Sequence, residues 1–298
     1  MFSRRHPFLF FFMFMVACGT CLILGLGGLI MLSSRMADKA SFYPSKQGNV
    51  GIVEVSGPIL SSRKIIENLT AFQENKDIKA IILRIESPGG GIGPSQEIYR
   101  EVIKIKKTKK VIASMGSVAA SGGYYIAAAC DKIIANPGTI TGSIGVIMEY
   151  ANLKEIAEKI GISPVVIKSG EFKDMGSPLR QLKDKEKKIF QSLVNELHGQ
   201  FVKDAALARD MEVKAMAKLA DGRVYTGQSA LKLKLVDRLG NLGDAVQWAG
   251  SLARIKGKPV PVYPREDKIT FIRKLTQTLL KDLNVTGSIT DNFRFVIN

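Results

Sequence analysis

Histidine is nearly missing from this chain: His6 and His198 are the only two in 298 residues. That scarcity excludes a histidine-rich zinc site, HExxH does not occur, and any serine–histidine–acid arrangement would have to use His198. His198 lies four residues after Val194 and three before Phe201, at the edge of an apolar helical face, where packing explains it. Cysteine is equally scarce. Cys18 and Cys21 sit inside a long apolar run and Cys130 stands alone beyond it, so the remainder of the chain forms no intramolecular disulfide. Acidic residues are outnumbered, 27 against 43 Lys and Arg, for a formal charge of +16. The basic residues are scattered in pairs among acidic ones without interleaved aromatics, which argues against a nucleic-acid partner and leaves an anionic membrane surface as the natural attractor. With 46% hydrophobic residues over this length, a disordered chain is excluded as well.

What is present begins with the run FLFFFMFMVACGTCLILGLGGLIML, residues 8–32, which carries no charge over 25 positions. At 1.5 Å per residue it is long enough to cross a hydrocarbon core of about 30 Å. It is longer than a signal-peptide core and is followed by SSRMADKA rather than a small-x-small cleavage site, so the sequence predicts an uncleaved transmembrane anchor. Cys18 ends MVAC, a lipoprotein-like tetrapeptide, but apolar residues continue beyond it through Leu32. Arg4 and Arg5 precede the run while Arg35 and Lys39 follow it. The charge count is therefore balanced, and the short head of residues 1–7 favours a cytoplasmic N-terminus with the remaining chain on the outer, periplasmic face. Residues 33–48 read as a polar linker.

From Asn49 onward, strand-like and helix-like runs alternate: NVGIVEV, KIIENLTAFQEN, AIILRIE, SQEIYREVIKIKK, VIASM, AASGGYYIAAAC and KIIANP. This alternation predicts an α/β domain over 49–265 with a largely buried parallel sheet. NLKEIAEKIG then reads as a helix and PVVIK as a further strand. A long helix over 183–202 places Ile189, Phe190, Leu193, Val194, Leu197 and Phe201 on one core-facing side. Residues 221–253 read as strand, helix, short strand and helix, and residues 266–298 as an amphipathic helix and polar tail. No internal repeat is visible.

Two glycine-rich junctions could carry chemistry. SPGGGIGP, residues 87–94, follows a predicted strand and opens a helix, so its amides can approach an anion; its spacing fits neither GxxxxGK[ST] nor GxGxxG. Read alone it is equally a tight strand-to-helix turn. The second, GSVAASGGY, residues 116–124, sets Ser121 among small residues just before a helix. A substrate carbonyl could reach the Ser121 hydroxyl there, with the Gly122 N–H facing the oxygen that becomes negative. It is not the GxSxG elbow, because position 119 is Ala. A serine without histidine can use a neutral lysine as base. Composition cannot choose among the lysines, and the two SxxK matches, Ser61–Lys64 and Ser229–Lys232, lack the SDN and KTG companions.

The N-terminal anchor, SPGGG, MGSVAASGGYYIA, ANPGTITGSIGVI, IKSGEFKDMGSP and DGRVYTGQSALKLKLVDRLG, in this order and spacing, resemble the short form of the signal peptide peptidase A family over about residues 49–250. The resemblance implies a Clp-protease/crotonase-like fold of repeated ββα units. It implies Ser121 as nucleophile, Lys173 as general base, Gly90 and Gly122 as the oxyanion-hole donors, and Ser143 as the residue that orients the lysine. No metal or organic cofactor is implied. Expected partners are remnant signal peptides, the membrane, and further copies of the chain, with an octamer as the family-based expectation. One departure stands out: Glu86 precedes SPGG where relatives often carry an uncharged polar residue, which is expected to alter substrate binding without disabling catalysis. A related membrane protease with one specific membrane-protein substrate, and an acyl-CoA enzyme of the crotonase type, are the competing readings.

Overall fold

Strands that are apolar on both faces organise the domain. The computed structural model describes residues 48–264 together with Phe8, Phe11, Met15, Gly19 and Thr20. The predicted anchor, linker and C-terminal helix therefore lie outside the described residues, apart from those five positions. Among the described residues no helix is long and apolar enough to cross a membrane. The chain divides into two units, Met1–Gly48 and Asn49–Asn298, and the second carries the fold.

In chain order its described elements are β1 (Val50–Ser56), α1 (Arg63–Glu74), β2 (Ala80–Ser87), α2 (Ile92–Ile105), β3 (Lys110–Ala120), α3 (Gly122–Ala128), β4 (Lys132–Ala135) and β5 (Ile140–Gly142). They continue as α4 (Lys154–Lys159), α5 (Asp184–Ala208), α6 (Val213–Leu219), β6 (Val224–Thr226), α7 (Gly227–Lys232), β7 (Arg238–Leu239), α8 (Leu242–Leu252) and β8 (Pro261–Val262). The sheet runs β6-β5-β3-β2-β1-β8, with β4 on β3 and β7 on β4. Pairing is parallel throughout except between β5 and β6.

The two-residue period of a strand divides the core. Val53, Val55, Ile81, Leu83, Ile85, Val111 and Met115 point to one side, against Leu69 and Phe72 of α1, Ile98, Val102 and Ile105 of α2, all of α3 and the C-terminal half of α5. Val50, Ile52, Ile82 and Ile112 point to the other, against Ala245, Val246 and Ala249 of α8. Helices thus cover both faces, which is why AIILRIE is nearly continuous in apolar residues rather than alternating. Each fully buried Ile or Leu contributes about 1.5–3 kcal/mol relative to exposure.

One irregularity positions the site. β2 and β3 pair Ile85 with Met115 and then Ser87 with Ala119, so three residues of β3 face one of β2. The Glu86 carboxylate fills this gap, accepting the Ser117 N–H at 2.9 Å and the Val118 N–H at 3.1 Å. Before the bulge β3 pairs with β4; after it, Val118–Ala120 pair with β5. The end of β3 is thereby swung away from β4 and delivers Ser121 beside β5.

Two expectations fail between residues 145 and 200. PVVIK forms no strand: Val165 is 87% and Ile167 96% exposed, and no neighbouring strand offers backbone partners. The long helix exists, but its apolar face is buried only at the C-terminal end, through Phe201, Val202, Ala205 and Ala206, while Ile189 and Leu193 are exposed. The whole stretch, with Ile147, Ile156, Ile160, Ile162 and Phe172 also exposed, lacks a covering layer among the described residues.

Candidate active site

Ser121 caps α3 directly after β3, with φ +52° and ψ −119°, a backbone conformation that non-glycine residues rarely hold. Its N–H donates to the Gly142 carbonyl at 2.8 Å and its carbonyl accepts from the Tyr125 N–H at 2.9 Å, so strand β5 and helix α3 fix it from both sides. A strained residue held this firmly at a strand-to-helix turn is a common setting for a reactive side chain.

The SPGGG loop lies against it. Ile59 and Gly90 form a parallel bridge in which the Ile59 N–H donates to the Gly89 carbonyl and the Gly91 N–H to the Ile59 carbonyl, both at 2.9 Å. A Cβ on Gly122 would lie 3.3 Å from the Gly90 nitrogen and 2.5 Å from Ser95 Oγ. The amides of Gly90 and Gly122 are thus near neighbours, and among the described residues neither donates to a backbone or side-chain acceptor. Two free N–H groups beside a serine hydroxyl can receive an oxygen that gains negative charge.

These groups line a solvent-open cleft of about 260 Å³, together with Ile92, Ser95, Tyr125, Gly145, Val146, Leu197 and Phe201. The walls are mostly apolar. Tyr125 stacks on Phe201 at 4.3 Å between ring centres and meets Tyr99 edge-on at 5.3 Å. The Tyr125 hydroxyl donates to Asp204 Oδ2 at 2.5 Å, and the Tyr99 hydroxyl to the Asp204 carbonyl at 2.9 Å. Burial, reinforced by the Asp204 charge, pushes Tyr99 up to about 12, and burial with the Asp204 hydrogen bond raises Tyr125 further. Both phenols are therefore neutral, Tyr125 in the cleft wall and Tyr99 behind it, and they tie α2 and α3 to α5.

Of the residues singled out from sequence, the fold brings Ser121, Gly90 and Gly122 together in this cleft. Ser143 follows Gly142, whose carbonyl holds the Ser121 N–H, and has φ +50° with its own N–H on the Arg223 carbonyl at 2.8 Å. Lys173 is not part of the cleft. It lies exposed in the turn after Gly170, whose carbonyl accepts its N–H at 3.2 Å. Glu86, singled out as a departure expected to alter substrate binding, has its carboxylate engaged in the β3 bulge. His198 does not line the cleft, and its buried Nε2 has no hydrogen-bond partner among the described residues. Ile92, Tyr125 and Val146 escaped the sequence reading. Leu197 and Phe201 were visible as an i, i+4 pair but read as core.

The turn that carries Lys173 is held by charge. Arg180 donates from Nε to Asp174 Oδ2 at 2.8 Å, from Nη2 to the Asp174 carbonyl at 3.0 Å, and bidentately to Glu186 at 2.6 and 2.8 Å. Lys168 reaches Asp174 Oδ1 at 2.6 Å, and the Lys183 N–H caps Glu186 at 2.9 Å. The Arg180 hydrogen bonds, then that of Lys168, hold Asp174 well below the usual carboxylate range, and Arg180 with the Lys183 amide does the same for Glu186.

A serine at a helix start, two amides without an acceptor among the described residues and an apolar cleft on a mixed α/β sheet fit a serine hydrolase. The comparisons narrow this: residues 103–256 match the model of peptidase family S49 and residues 49–139 that of Clp protease. A candidate protease of Synechocystis sp. is 43% identical over 255 residues, 83% of this chain and 92% of that protein. The chloroplastic serine protease SPPA of Arabidopsis thaliana is 37% identical over 223 residues, 74% of this chain and 32% of that one. Protease 4 of Haemophilus influenzae is 32% identical over 231 residues, 74% of this chain and 37% of that one. The chain belongs to peptidase family S49 and is a serine peptidase of the signal peptide peptidase A type.

Proposed function

We propose that this serine peptidase uses a Ser121–Lys173 dyad to hydrolyse apolar peptides, remnant signal peptides among them, at the membrane that residues 8–32 anchor it to. The observation that carries the reading is the cleft, in which the Ser121 hydroxyl stands beside the free N–H groups of Gly90 and Gly122 within apolar walls. Ser121 Oγ attacks the scissile carbonyl, its proton passes to the neutral Lys173 amine, and the two amides receive the tetrahedral oxyanion. Lys173 returns the proton to the leaving amine, and water then hydrolyses the acyl-enzyme with the same residue as base. Ser143, beside Ser121 through Gly142, orients the lysine.

A lysine that acts as a base near neutral pH has to be desolvated. Within one copy Lys173 is exposed and outside the cleft, on a stretch whose apolar side chains are uncovered. The reading therefore includes a homo-oligomer, an octamer by family likeness, in which this stretch of one copy carries Lys173 to the Ser121 cleft of its neighbour. The test is hydrolysis of a fluorogenic apolar peptide by the full chain in detergent. Loss of activity in both Ser121→Ala and Lys173→Ala is expected. Activity that survives Lys173→Ala contradicts the dyad.

A further inference from the structure

We propose that Arg180 is the positioning residue for Lys173, an inference that rests on the dyad reading above. Three facts support it. Asp174 is the residue next to Lys173, and Arg180 grips both its side chain and its carbonyl. The adjacent Nη1–Nη2 edge of the same guanidinium is forked onto Glu186, whose side chain is only 1% exposed and which sits in the first turn of α5. The surrounding segment has little apolar packing of its own among the described residues, with Val165, Val166, Ile167 and Phe172 exposed, so hydrophobic burial there does not set the shape of this turn.

The chain from α5 through Glu186 and Arg180 to Asp174 is thus the rigid link between a long helix and the lysine. Its planar, two-sided geometry is one that lysine cannot reproduce, since an ammonium group cannot fork onto two carboxylates in one plane. The Tyr150 hydroxyl adds to the same frame: it lies within hydrogen-bond reach of the Ser177 and Arg180 carbonyls and donates its one hydrogen to one of them at a time. Arg180 touches no reacting atom in this proposal; it acts through Lys173.

The test compares Arg180→Ala, Arg180→Lys, Asp174→Asn, Lys173→Ala and the Lys173→Ala/Arg180→Ala double variant in the full chain, using the same fluorogenic apolar peptide, with assembly checked by light scattering. Asp174→Asn weakens the link beside Lys173 while leaving the Arg180–Glu186 anchor, so it stands if Arg180→Ala fails to fold. Misplacing a base by about 1 Å costs about a hundredfold, so kcat is expected to fall about that much in Arg180→Ala and Asp174→Asn, with KM within about twofold. Arg180→Lys should recover only part of the loss, and the double variant should be no slower than Lys173→Ala alone. If Lys173→Ala is inactive while Arg180→Ala and Asp174→Asn keep wild-type kcat, or if the double variant loses a further factor, the positioning role is overturned and the dyad stands. If Lys173→Ala is itself active, the dyad reading fails first and takes this inference with it.

Discussion

Gly90 and Ile59 approach so closely through their backbone bridge that a Cβ at Gly90 would fall 2.4 Å from the Ile59 carbonyl oxygen. No side chain fits there without moving the loop, and the loop carries one of the two free amides at Ser121. Gly90→Ala should therefore displace the Gly90 N–H and lower kcat by about 10²–10³, the usual cost of losing one oxyanion donor. Circular dichroism should show an intact fold. A variant with near-normal kcat would remove Gly90 from the oxyanion site.

Ser121 is held in a strained backbone conformation, which the proposed nucleophile role would explain. Its φ of +52° with ψ −119° carries a cost on the order of 1–3 kcal/mol for a residue with a Cβ, most of which glycine escapes. Ser121→Gly should abolish hydrolysis while raising the melting temperature by a few degrees, whereas Ser121→Ala, equally inactive, should not gain stability. Differential scanning calorimetry on the two variants separates strain from simple loss of the hydroxyl.

Glu86 should prove to be structural rather than substrate-facing. Its carboxylate holds the Ser117 and Val118 amides at the bulge that steers β3 toward β5. Glu86→Ala leaves those amides to water and should cost about 1 kcal/mol in stability and about tenfold in kcat, with peptide preference unchanged. Glu86→Gln, which keeps an accepting oxygen, should stay within about twofold of wild type. Altered preference among peptides, with kcat retained, would place Glu86 at the substrate after all.

Acid should loosen the Lys173 turn before the core. Asp174 and Glu186 have folded values below their ordinary ones, so both are charged at neutral pH and their pairs with Arg180 stabilise the segment there. That stabilisation fades as pH falls through the ordinary carboxylate range and is gone once pH drops below the folded value, about 2 for Glu186. Hydrogen exchange, corrected for intrinsic rates, should show residues 170–186 losing protection while β1–β3 keep theirs.

The fold was legible in the sequence because a parallel sheet covered on both faces writes itself as blocks of Ile, Leu and Val, and AIILRIE is such a block. The SPGGG loop and Ser121 were legible as candidates because glycine and small residues at a strand-to-helix junction let another backbone or a substrate approach closely. The proposed general base was not: Lys173 is one of many lysines, and in the fold it lies exposed, away from the Ser121 cleft. PVVIK misled for a related reason: a β-branched run predicts a strand, but a strand requires a partner, and none is offered among the described residues. The exposed face of α5 from Ile189 to Leu193 misled in the same way, since helical periodicity marks which side is apolar and not whether the cover comes from the same copy. Glu86 was visible as an oddity, but its engagement with Ser117 and Val118 depends on a register shift that no local pattern announces.

Ser121 and Lys173 are proposed to form one catalytic unit, completed between copies. The most direct test mixes Ser121→Ala and Lys173→Ala proteins, each inactive alone, after dissociation and joint reassembly, and assays the fluorogenic apolar peptide. Assemblies that contain both variants pair an intact Ser121 with an intact Lys173 at some contacts, so a substantial fraction of wild-type activity should return. Mixed assemblies, verified by mass, that remain inactive would contradict the account.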